Sequence, residues 1–145
     1  MTSDDKALQD YSVGILLRQA QRRAATAFAE ALEPLGIAGR HFGVLHALVQ
    51  RGTMSQRELV DAISSDKASM VRTIDDLEAA GLAVRRATPG DRRVRSIEIT
   101  DLGRKTLGEA EKTARTVAAG LLEHLAPAKR GQLLALLDEF VHGAS

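Results

Sequence analysis

The sequence predicts a mainly α-helical fold with one small β-hairpin set between helices. Three observations lead there. Apolar residues recur at helical spacing through the segments up to residue 81, drop to alternation over residues 82–100, and return to helical spacing afterwards. Aromatics make up only 3% of the chain, and leucine and alanine, both good helix formers, take their place. At 145 residues, 44% hydrophobic and 27% charged, the chain is long and apolar enough for one integrated domain with its own core.

Each element has its own local reason. Leu8, Tyr11, Ile15, Ala25 (or Leu16), Phe28 and Leu32 predict one long helix from Ala7 to Leu32, with Arg18, Arg22 and Arg23 on its wet side and Pro34 and Gly36 ending it. A second helix is predicted from Gly39 to Gln50, striped by Phe42, Leu45 and Val49 and stopped by Gly52. Ser55 followed by Glu58 is a capping-box pair, in which each side chain satisfies the other's free backbone N–H, so a third helix starts at Ser55 and runs to about Ile63. Asp66 suits the N-cap of a fourth helix and Gly81 its C-terminal end. Met70, Ile74 and Leu77 form that helix's buried face, while Lys67, Ala68, Ser69, Arg72, Thr73 and Asp76 point outward. Strands are predicted over Leu82–Ala87 and Val94–Thr100, with Ile97 and Ile99 on the inner face. Thr100 or Asp101 caps a long helix to about Leu125, and Pro127 fits the first position of a last helix striped by Leu133, Leu136, Leu137 and Phe140.

Two short helices joined by a tight turn and followed by a hairpin make a winged helix-turn-helix. The second helix of such a pair fits the DNA major groove. Arg72 suits a bidentate contact to guanine, Ser69 a base or a phosphate, and Ala68 a thymine methyl, with Lys67 and Thr73 beside them. Ser55 and Gln56, opening the preceding helix, complete the surface. The net charge is only +1, but between Arg85 and Lys105 seven basic residues stand against three acidic ones. Three of those arginines, Arg92, Arg93 and Arg95, follow the turn Pro89-Gly90-Asp91. A hairpin tip is narrow enough for the minor groove, so Arg93 is expected to enter it, with Arg92 or Arg95 on phosphates and Asp91 bracing a neighbouring arginine. Arg85 and Arg86 read equally well as solvated strand residues. Asp75 and Asp76 point apart on a helix and read as surface groups or salt-bridge partners rather than an acid/base pair.

Composition closes other routes. With no cysteine there is no disulfide framework, thiolate zinc site or thiol redox sensor. His41 and His46 are five apart, off the spacing that would aim two ligands from one helical face, and His124 and His142 are isolated, so no metal site is expected. No Ser/His/Asp arrangement or phosphate-cradling glycine loop is present, and neither an enzyme nor a cofactor is expected. The opening "MTSDDKALQDYS" is polar and acidic, unlike a signal peptide, and no apolar run reaches the ~20 residues of a membrane span, so a cytoplasmic location and no membrane partner are expected.

At these residues the sequence resembles the MarR family of bacterial transcription regulators. "DRRVRSIEITDLGRK" is similar to the family's wing, an Asp-x-Arg signature leading into an alternating strand, Thr and Gly. "MVRTIDDLEAAGLAVRR" resembles its recognition helix, especially in the SlyA-like branch. "MSQRELVDAI" and "LEPLGIAGRHFGVLHAL" resemble the helices before it, so the likeness covers almost the whole chain. The resemblance implies a homodimer, with residues 1–36 and 107–145 as a helical dimerisation region around a DNA-binding lobe of residues 37–106. Leu121, Leu122, Leu125, Leu133, Leu136 and Phe140 supply the apolar surface such a dimer needs. It implies binding to a pseudo-palindromic double-stranded operator and repression relieved by a small phenolic or anionic effector. Candidates to touch that effector are Tyr11, Arg18, His41, Phe42 and His46, an arginine and histidines beside aromatics. The alternative is a winged-helix module whose wing arginines meet an acidic protein.

Overall fold

A computed structural model describes residues 2–9, 11–63, 65–88 and 90–143, without the side chains of Ala7, Leu8, Gln9 and Arg92. In chain order the elements are α1 (Ser3–Gln9), α2 (Ser12–Leu32), a 3-10 turn (Glu33–Leu35), α3 (Gly39–Arg51), β1 (Met54–Ser55), α4 (Gln56–Ile63), α5 (Lys67–Ala79), β2 (Ala83–Thr88), β3 (Asp91–Ile99), α6 (Asp101–Leu122) and α7 (Pro127–His142). The fold is the expected one, mainly helical with a winged helix-turn-helix at its centre. No helix among the described residues is long and apolar enough to cross a membrane.

The first predicted helix is two. Thr2 and Asp5 form their own capping pair: the Asp5 N–H donates to Thr2 Oγ1 at 3.1 Å and the Thr2 N–H to Asp5 Oδ2 at 3.2 Å. That starts α1 at Ser3, and α2 begins afresh after Tyr11, which sits in a turn with φ −77° and ψ 3°. The side chain of Leu8 lies outside the described residues. In α3 the buried face is His41, Val44, Leu45 and Leu48; Val49, assigned to that face from sequence, is exposed, and Phe42 is half-buried.

The sheet has three antiparallel strands in the order β1-β3-β2, because Met54 and Ser55 pair with Ile97 and Ser96. Met54, Ile97, Ile99 and Ala83 thereby face a core built with Leu45 and Leu48 of α3, Leu59 of α4, Met70, Ile74 and Leu77 of α5, and Leu107 and Ala110 of α6. The wing's β3 starts at Asp91, three residues before the expected start at Val94. Ala87 pairs with Arg95 but Thr88 pairs with Asp91, so Arg92, Arg93 and Val94 are extra residues on β3. They form a wide bulge near the tip, the device by which a hairpin re-aims side chains.

Three caps set the lobe's joints. The Gly81 N–H donates to the Glu78 carbonyl at 3.0 Å and the Leu82 N–H to the Leu77 carbonyl at 2.8 Å, a Schellman ending with Gly81 at φ 75°. The Thr100 hydroxyl accepts from the Gly103 N–H at 3.0 Å, and the Thr100 hydroxyl donates to the Gly81 carbonyl at 2.6 Å. Arg130 donates from Nε to the carbonyls of Leu122 and Leu125, satisfying the end of α6 three residues short of the expected Leu125. By contrast α7 has no buried residue, and Leu134, Leu136, Phe140 and Val141 are exposed along it.

Candidate nucleic-acid interface

The recognition helix α5 is tightly fixed at its start. Asp66 Oδ1 accepts from the Ser69 N–H at 2.8 Å and Oδ2 from the Ser69 hydroxyl at 2.7 Å. The Ser69 N–H foremost, and then its hydroxyl, hold the Asp66 carboxyl below its usual range. The Ser69 proton is therefore committed to capping, and Ser69 offers DNA only its oxygen's remaining lone pair. Thr73, placed on the outward face from sequence, is only 3% exposed and donates to the Ser69 carbonyl at 3.0 Å. It is one helical turn past Ser69 and on the core side, so it is withdrawn from the candidate DNA contacts. Lys67, Ala68 and Arg72 are exposed as expected. Ser55 and Glu58 form the predicted reciprocal cap, at 3.1 and 3.2 Å, which makes Ser55 a cap first. Gln56 lines a groove of about 290 Å³ with Arg57, Val60 and Lys67. Arg57 was not singled out from the sequence, where one arginine on a polar helix face carries no signal.

The basic residues of the wing divide into two sets. Arg85 is 18% exposed and bolts the wing to the back of α5, with Nη2 at 2.7 Å from Asp75 and Nη1 at 3.1 Å from Glu78. Its own N–H donates to the second Glu78 oxygen at 3.1 Å. Arg86 pairs across the strands with Glu98 at 2.7 Å. Neither is merely solvated, and Asp75 and Asp76 are ion-pair partners as expected. Arg93 and Arg95, in contrast, are exposed and form no ion pair among the described residues. Asp91 does brace Arg93, but through the backbone: its Oδ1 accepts from the Arg93 N–H at 2.9 Å, leaving the guanidinium free to reach outward. The side chain of Arg92 lies outside the described residues.

The five effector candidates do not converge. Tyr11 is 84% exposed, and Arg18 and His46 are exposed too. His41 is buried in a structural clasp. Its Nδ1 accepts from the Ala38 N–H at 2.9 Å, which puts the ring proton on Nε2, 2.9 Å from Asp76 Oδ2. That hydrogen bond, ahead of Arg40, keeps the Asp76 carboxyl below its usual range. Of the five, Phe42 lines a cavity of about 430 Å³, with Gln21, Phe28 and Leu32 of α2, Gly39 of α3 and Ala114 of α6. Its ring stacks on His46 with centroids 6.1 Å apart. Among the described residues no three metal-ligating side chains come together.

Comparison with known proteins agrees with this geometry. A profile of the MarR family matches residues 35–94, from the 3-10 turn through the bulge of the wing. The chain is similar to BpsR of Bordetella bronchiseptica, solved in a study of how 6-hydroxynicotinic acid regulates its DNA binding. The two are 29% identical, with 90% of this chain and 98% of that one aligned and a TM-score of 0.81. A MarR-family transcriptional regulator from Rhodococcus sp. RHA1 is 26% identical over 91% of this chain and 95% of its own, with a TM-score of 0.82. CouR from Rhodococcus jostii RHA1, bound to p-coumaroyl-CoA, is 25% identical over 93% and 95%, with a TM-score of 0.77. With the profile lying on the recognition helix and wing, and the structural likeness running nearly end to end, the chain is similar to transcriptional regulators of the MarR family.

Proposed function

We propose that the chain is a homodimeric repressor that reads a pseudo-palindromic operator and releases it when a small phenolic or anionic ligand binds. The observation that carries this reading is the division among basic residues. Arg85 and Arg86 are spent on carboxylates, while Lys67, Arg72, Arg93 and Arg95 are exposed on the recognition helix and wing. Arg72 and Lys67 suit the major groove and Arg93 the minor groove, with Arg95 on phosphate.

Dimerisation is supported by the faces left open at the chain's two ends. A 16-residue helix with no buried residue does not hold its place by propensity alone. Beside it, Leu17, Ala24, Leu121, Leu125, Leu133 and Leu137 line an apolar cavity of about 450 Å³ suited to a partner's helix. Two lobes on a two-fold axis would meet half-sites ~10 bp apart.

The cavity beside Phe42 suits the ligand. Two phenylalanines flank it, and Gln21 is its polar side chain, able to bond a phenolic hydroxyl. Arg18, one turn earlier on α2 and exposed, offers a counter-charge for an anionic tail. The first turn of α3 connects this cavity to α5: Gly39 and Phe42 line it, and His41 between them holds Asp76. A ligand would act by favouring a lobe position that no longer matches the grooves.

Sedimentation and DNA anisotropy test the dimer together with its function. The wild type is expected to sediment at twice 15.6 kDa. Phe140→Asp, changing a side chain 64% exposed in the single chain, is expected to sediment as a folded monomer and to lose operator affinity at least ~10-fold. A monomeric wild type that binds the operator tightly would contradict the dimer. Titrating the wild-type complex with small aromatic acids reads the ligand: a saturable fall in anisotropy supports it, and no fall with any of them contradicts it.

A further inference from the structure

One residue outside the expected DNA set faces the same groove as the recognition helix. Arg40 lies in the first turn of α3, its side chain 61% exposed. Together with Ser69, Arg72, Asp75 and Asp76 it lines an open groove of about 620 Å³. The groove holds two carboxylates, yet each has a shorter partner elsewhere. Asp75 is 2.7 Å from Arg85, and Asp76 is 2.9 Å from His41. Arg40 reaches Asp76 only at 3.4 Å, and Arg72 reaches the Ser69 hydroxyl only at 3.4 Å. A guanidinium carries five donors in a fixed fork, and each of these two has most of them free. Two underused guanidinia lining one groove beside the recognition helix are complementary to an oxygen-rich monoanion.

We propose that Arg40 is a further DNA-contacting residue, gripping a backbone phosphate across this groove from Arg72. The inference rests on the DNA-binding reading above. When the phosphate arrives, Arg40 swings from Asp76 to it, and His41 alone keeps Asp76. A phosphate contact of this kind raises affinity without reading sequence.

The test is a duplex-binding salt series on wild type, Arg40→Ala, Arg40→Lys and Asp76→Asn, with operator and scrambled DNA. Arg40→Ala is expected to weaken both duplexes by a similar factor, ~3- to 10-fold, and to shrink the slope of log affinity against log salt by about 1. Arg40→Lys keeps the slope, because the charge stays. Asp76→Asn binds at least as tightly as wild type, since Arg40 is released and the amide oxygen still accepts from His41. Wild-type affinity and slope in Arg40→Ala would overturn the assignment. So would an Asp76→Asn variant that reproduces the Arg40→Ala loss, which would make Arg40 a brace acting only through Asp76. A wild type that binds neither duplex overturns the DNA reading itself and this residue with it.

Discussion

Gly103→Ala is expected to cost about 3 kcal/mol and to lower Tm by about 10 °C, read by thermal circular dichroism. The substitution looks mild, since alanine is the better helix former and Gly103 lies in the first turn of α6. The environment decides otherwise. An added Cβ would fall on the Leu82 carbonyl oxygen, 3.1 Å from the Leu82 carbonyl carbon and 2.7 Å from Cγ1 of Ile99. The carbonyl has no freedom to retreat, because Leu82 is tied on both sides. Its N–H donates to Leu77 at 2.8 Å, closing α5, and its carbonyl accepts from the Thr100 N–H at 3.1 Å, opening α6. The recognition helix, the wing and α6 therefore share one junction. Displacing it is expected to reduce DNA affinity as well as stability. A Tm within about 2 °C of wild type would show that the junction yields and would refute the packing argument.

Arg93→Ala is expected to lower operator affinity by more than ~10-fold with the far-UV spectrum and Tm unchanged. Its guanidinium has no ion pair among the described residues, and its backbone is positioned by Asp91 and by the three-residue bulge. Arg86→Ala is the informative comparison. It removes the same charge from the same wing, but Glu98 already holds that guanidinium at 2.7 Å. A loss below about threefold is expected there, since rim charges already paired add little. Equal losses in the two variants would mean that the wing acts only as a diffuse positive field, and the groove placement of Arg93 would be wrong.

Much of this was legible in the sequence where a local interaction decides the outcome. The caps at Ser55, Asp66 and Thr100 involve a residue and its neighbour three positions on, so the residue types alone announce them. The alternation Ile97, Ile99 sets the sheet's inner face in the same local way. Outcomes decided at long range were not legible. The two residues of β1 are too few to show a period, and they form a strand only because β3 passes beside them. Val49 and Leu48 both fit an apolar stripe, and which one is buried depends on how α3 is rotated against its neighbours. Thr73 could belong to either face of α5, and the core claimed it. Arg40 and Asp76 lie 36 residues apart in sequence, so nothing local joins them. The break at Tyr11 has neither proline nor glycine to mark it.

The DNA-binding claim is tested most directly by fluorescence anisotropy of the purified protein on duplex DNA from upstream of its own gene. A scrambled duplex of equal length serves as control, and both are titrated across a salt series. The proposed function predicts tight binding, a steep negative dependence on salt from the phosphate contacts and, for a regulator that controls its own gene, at least ~10³-fold preference for the upstream duplex. Weak binding to both duplexes with no preference and a flat salt dependence would contradict it, and the wing arginines would then be better matched to an acidic protein surface.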